Sequence, residues 1–173
     1  DRKALAGLYT ADGQYREAEA EYRTLLAATP DDLRLALDLG GVLIATKKYT
    51  DAVKLYEQLL THNPENLTLK IQIGQAYLAA AEPERALPLF TQVLQDRFDN
   101  PEARIGFVNA AASAKVFTAH QARLARKLAE APETLKSSDP TYLSRLAWVL
   151  IREGVDGPIN RMLDRAVAVL PET

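Results

Sequence analysis

The sequence predicts an all-α chain of stacked helix pairs, and three observations carry that prediction. The first is a 34-residue period. Ala18, Ala52 and Ala86 recur at that spacing, as do Tyr22, Tyr56 and Phe90, and Tyr9, Leu43 and Tyr77. The second is punctuation. Thr29-Pro30, Asn63-Pro64, Asn100-Pro101 and Asp139-Pro140 each place a capping side chain before a proline, which is a helix-start signal. The third is apolar recurrence at helical spacing between those points, as in Leu33, Leu35, Leu39, Val42 and Leu43. One such pair cannot bury its apolar face alone. Stacked neighbours can, and the outcome is a quasi-one-dimensional superhelix with a concave and a convex side.

Taken in order, the period divides the chain into five repeats at about 1–32, 33–66, 67–103, 104–139 and 140–173. Within a repeat the first helix starts at the proline, and acids there (Asp31, Asp32, Glu65, Glu102) suit the positive end of the helix dipole. A short polar break follows at Ala11-Asp12-Gly13, Thr46-Lys47-Lys48 and Ala81-Glu82-Pro83. The second helix then runs to the next proline, with Pro88 predicting a slight bend in the third. Ala6, Gly40, Gly74, Ala111 and Ala147 form a small-residue column that lets paired helices approach, while Tyr22, Tyr56 and Phe90 fill the space to the next repeat. The fourth repeat is degenerate. Pro101 follows Pro64 by 37 residues, Leu124 replaces the aromatic, and the second helix reads as longer. The fifth returns to register, with Leu39–Pro64 lying over Leu146–Pro171.

Composition excludes several function classes. With 173 residues and a formal net charge of -2, no global charge recruits nucleic acid or an anionic membrane. There is no cysteine, hence no disulfide, thiolate metal site or cysteine nucleophile. No apolar run approaches the ~18–20 residues a bilayer span needs, so no membrane insertion is expected. His62 and His120 are far apart, and no phosphate loop or serine elbow is present. The expectation is a non-enzyme without metal or cofactor. Arg123, Arg126 and Lys127 read as a solvated helix face rather than a nucleic-acid patch. The chain starts inside an amphipathic pattern, without Met, and is expected to be a segment cut from a longer protein or a mature chain. Leu163, Val167 and Leu170 predict an apolar end face that meets further repeats or self-associates.

On the 34-residue period and columns such as Gly40, Leu43, Ala52, Tyr56 and Pro64, the chain resembles the tetratricopeptide repeat family. The resemblance covers nearly the whole chain and is strongest over about 1–100. It implies a right-handed α-solenoid whose first helices line a groove for a peptide or partner helix, with no catalytic activity of its own. Carried over column by column, the groove residues are Arg34, Leu37, Asp38 and Gly41; then Ile71, Gln72 and Gln75; then Val108, Asn109 and Ala112; then Ser144, Arg145 and Trp148, with Lys3, Gly7, Lys115 and Arg152 beside them.

Asp38, Gln72 and Asn109 read as one polar column with Arg145 next. Such groups either bond the main chain of an extended peptide or are merely solvated. Lys3, Arg34, Lys115, Arg145 and Arg152 outnumber Asp38, which favours an acidic partner segment. Trp148, the single tryptophan, is either an aromatic anchor or packed on a following helix. The family's clamp for chaperone carboxylate tails is missing, because Gly7, Asp38, Thr68 and Gln72 stand where its Asn, Asn, Lys and Arg are required. The function expected is a protein-interaction scaffold. The alternative is a structural spacer in a larger bacterial assembly such as exopolysaccharide export or secretion machinery.

Overall fold

The structure, a computed structural model, describes residues 1–154 and 159–168, apart from the side chain of Leu135. Among the described residues it is helical, with no strand. The chain forms two compact units, Asp1–Glu82 and Pro83–Thr173. The N-terminal unit holds α1 (Arg2–Ala11), α2 (Tyr15–Ala28), α3 (Leu33–Ala45), α4 (Tyr49–His62) and α5 (Leu67–Ala79). The C-terminal unit holds α6 (Pro83–Asp96), α7 (Pro101–Ser113), α8 (Ala119–Glu130), the short α9 (Pro132–Leu135), α10 (Pro140–Arg152) and α11 (Ile159–Ala168). None of the described helices is long and apolar enough to cross a membrane.

In the N-terminal unit each helix packs on the next, α1 on α2 through to α4 on α5. The turns that permit this are built alike. Gly13, Lys47 and Ala81 all have left-handed backbones, with φ of 73°, 62° and 59°. The amide of Lys47 bonds the Ile44 carbonyl and that of Lys48 bonds the Leu43 carbonyl, satisfying the orphan acceptors of α3. Ala81 and Glu82 do the same to Leu78 and Tyr77. Two of the three turns hold a residue with a Cβ where glycine is the unstrained choice.

Helix starts correct the sequence reading. Asp32 caps α3 by accepting from the Leu35 amide, and Asn66 caps α5 by accepting from the Leu69 amide. Thr29 and Asn63, expected as caps, instead end α2 and α4. Pro30 and Pro64 therefore lie in the connecting turns, closed by Asp32 N–H to Thr29 O and Asn66 N–H to Asn63 O. Asn100 and Asp139 are caps as expected, with Pro101 and Pro140 opening the helices. The true cap column is thus Asp32, Asn66, Asn100 and Asp139, and Pro101 belongs to a different column from Pro64. That shifts the fourth repeat by three residues. Val108, not Ala111, matches Gly40, Gly74 and Ala147, and all four are buried.

The C-terminal unit departs from the simple hairpin. α7 packs on α6 and α10, while α8 packs on α10 and α9. The second helix of the fourth repeat is no longer than α2, α4 or α6; the extra residues form the 114–118 loop and α9. Leu124 is buried where an aromatic was expected. Glycines also receive the aromatic rings differently in the two units. A Cβ on Gly40 would fall inside the Tyr56 ring of the same helix pair, whereas a Cβ on Gly106 would fall inside the Phe90 ring of the preceding helix. Leu163 and Val167 are exposed on α11 as expected, and Leu170 and Pro171 lie outside the described residues.

Candidate peptide-binding face

The caps fix which residues of each first helix face outward. Counting from the cap, positions three, four, seven, eight, ten and eleven are buried throughout α3, α5, α7 and α10. Positions two, five, six and nine form the remaining stripe. In the N-terminal unit the stripe holds Arg34, Leu37, Asp38 and Gly41 on α3, with Gln72 and Gln75 half-exposed on α5. In the C-terminal unit it holds Asn109 on α7 and Ser144, Arg145 and Trp148 on α10. Ile71 and Val108, expected in the groove, are buried. Asn109 is also displaced from its expected column. Gly106, covered by Phe90, follows Asp38 and Gln72, while Asn109 matches Gln75 and Trp148.

Within each unit the stripe is tied to the core beneath it. Tyr56 is fully buried and its hydroxyl donates to the Leu37 carbonyl at 3.4 Å. Burial, reinforced by the Asp38 carboxylate, pushes this phenol up to about 12, so it remains a neutral donor. Arg34 Nε lies 3.4 Å from Asp38 Oδ1 across one helical turn. Arg145 Nη1 bonds Asn109 Oδ1, joining α10 to α7. Arg152 Nε pairs with Glu153 at 3.0 Å and its Nη1 donates to the Ala114 carbonyl at 2.9 Å. Two of the basic residues counted in the sequence are therefore neutralised by acids of this chain. The amide of Lys115 is held by Glu84 at 3.0 Å, which draws the Glu84 carboxyl below its usual range.

Sequence reasoning missed the charged residues under this face. Position four from the cap is Ala36 in α3 and Leu143 in α10, but Lys70 in α5 and Arg104 in α7, all buried. Arg104 is held by the Phe98 carbonyl at 2.8 Å, the Phe98 ring at 4.8 Å and Glu133 at 3.4 Å. Lys127, assigned to a solvated helix face, covers the same ring at 4.3 Å. The signal was available as a charge interrupting an apolar column. It was read in the wrong register because the proline rather than the Asx residue was aligned. No cluster of three or more metal-ligating side chains occurs among the described residues.

Known proteins now locate this architecture. Two sequence models of the tetratricopeptide repeat match the chain, over residues 4–66 and 43–104. No curated protein matches it in sequence. Among solved structures, it is similar to YrrB, described as a tetratricopeptide repeat protein with an unusual peptide-binding site. The TM-score is 0.71 at 18% identity, covering 98% of this chain and 84% of that one. It is likewise similar to MamA 41-end from Desulfovibrio magneticus RS-1, with TM-score 0.76 at 14% identity, covering 97% and 92%. These identities show the fold alone. The two sequence matches together span more than half of the chain, and it belongs to the tetratricopeptide repeat family, α-solenoids of helical repeats that act as protein-interaction scaffolds.

Proposed function

We propose that this chain is a non-catalytic scaffold that holds an extended segment of another protein along the stripe that the first helices present within a unit. The observation that carries the reading is the contrast within those helices. Asp38, Gln72, Gln75, Asn109 and Arg145 keep solvent-facing surface while the positions between them are closed. Carboxylate, amide and guanidinium groups on one unit's stripe can bond a peptide main chain without selecting its side chains. The internal pairs Arg34–Asp38 and Arg152–Glu153 make bulk positive charge a minor part of the attraction. The description of YrrB as carrying a peptide-binding site supports the same reading.

The test is affinity capture from a lysate, with this chain beside a variant carrying Gln72→Ala, Gln75→Ala and Asn109→Ala. Circular dichroism checks that the variant stays helical. Partners retained by the original and lost by the variant support the scaffold. Identical partner sets, or none, overturn it and favour a spacer that works by length and rigidity.

A further inference from the structure

We infer that the C-terminal unit carries an anchor for a partner segment of the pattern apolar–any–acidic, with the apolar side chain on Trp148 and the carboxylate on Arg145. This rests on the scaffold reading and names the chemistry of what that stripe holds.

Trp148 is 49% exposed, although it sits mid-helix among fully buried neighbours. One turn further, Ile151 is 56% exposed, and Val116 in the adjoining loop is 71% exposed. The loop and α10 meet at Arg152. The Arg152 guanidinium stands 4.8 Å over the Trp148 ring and 5.3 Å over Phe117, while its bond to the Ala114 carbonyl fixes the loop along α10. An aromatic held this way offers a large contact at little cost in ordering.

The charge beside it has one sign. Arg145 precedes Trp148 by one turn, is exposed, and spends one of its five donors on Asn109. Two acids of this unit are already engaged, Glu153 by Arg152 and Glu84 by the Lys115 amide. A carboxylate is the group that matches the remaining guanidinium fork.

Spacing then sets the pattern. Residues three apart on a helix face have Cβ atoms about 5–6 Å apart. Side chains on one face of an extended segment recur every second residue, about 6.6–6.8 Å. An apolar residue and an acid separated by one position therefore reach Trp148 and Arg145 together. The N-terminal unit has no counterpart to this anchor: Gly41 and Gln75 occupy the position of Trp148.

The experiment pans a phage-displayed random 12-residue library on the full chain. Selected peptides are then titrated, read by label anisotropy and by the emission of Trp148, the chain's single tryptophan. Selected sequences should share an apolar residue two places from Asp or Glu, and their binding should shift Trp148 emission. Trp148→Ala should weaken them at least tenfold. Arg145→Glu, panned afresh, should select Lys or Arg in place of the acid, a reversal that misfolding cannot produce. Peptides lacking the pair, or binding Trp148→Ala within twofold of the original, would overturn the anchor. If the Gln72→Ala, Gln75→Ala double variant loses those same peptides, the scaffold reading stands without the anchor. A library that yields no binder overturns both.

Discussion

The second and fourth repeats begin alike and end differently. α3 and α7 are both thirteen residues long, both start from an Asx cap, and both bury the same cap-counted positions. After α3 the left-handed Lys47 turns the chain back within three residues, and the Tyr56 ring seats over Gly40. After α7 the backbone is extended at Ala114, runs on through the 114–118 loop, and restarts at the Thr118 capping box. α8 then lies on α10 rather than folding back on α7. A first helix is thus specified by its cap and apolar pattern alone. In the second repeat the return of the second helix goes with two further features, a left-handed turn residue and an aromatic seated on a glycine of the partner helix.

Four changes would break or sharpen this comparison. The largest effect is expected from Leu128→Ala, which empties the fully buried contact of α8. It should cost about 2–5 kcal/mol in denaturant unfolding and open 114–131 to limited proteolysis. Next come the glycines under the aromatic rings. Gly40→Ala and Gly106→Ala should each lose about 1–3 kcal/mol, because the buried Tyr56 and Phe90 rings must move. Gly41→Ala, one residue away with open space around it, should instead gain up to about 1 kcal/mol. Equal effects at Gly40 and Gly41 would refute the seating argument.

Third, Lys47→Gly and Ala81→Gly should each raise the melting midpoint, by about 1 kcal/mol or less, by relieving the left-handed strain. The smallest effect concerns Glu19, which ties α2 to the α3–α4 turn through Lys48 at 2.8 Å and to Arg23 at 2.9 Å. The Lys48 bond, more than any other influence, holds its carboxyl below the ordinary 4.5. Its contribution is therefore fully present above pH 4.5 and lost as pH falls through the depressed value. Glu19→Gln should cost less than about 1 kcal/mol near neutrality, and the difference between the two proteins should vanish in acid.

Much of this was legible beforehand. Ile71, expected to face outward on α5, is buried, while the period, the helix pairs and the polar breaks were legible in Ala18, Ala52, Ala86, Tyr22, Tyr56 and Phe90. The register of α7 was not. Two prolines, Pro64 and Pro101, look equivalent in sequence but play different parts, one in a turn and one at the first helical position. Only the hydrogen bonds of Asn66 and Asn100 distinguish them. Lys70 and Arg104 stand in the sequence as charges interrupting an apolar column, but their burial depends on tertiary packing, since a long cationic stem can line a core while its head finds an acid or carbonyl.

What the sequence by itself determined is the set of helices and the apolar stripe of each. Those depend on local capping and on a period that any three or four turns display. Tertiary structure alone decided where α8 docks, which basic groups are already paired, and that Trp148 stands half-open beside Arg145. These outcomes turn on contacts between residues far apart in sequence, such as Arg152 with Ala114, 38 positions away, and Arg145 with Asn109, 36 away. No local pattern encodes them, because the geometry joining such residues exists only after the helices have packed.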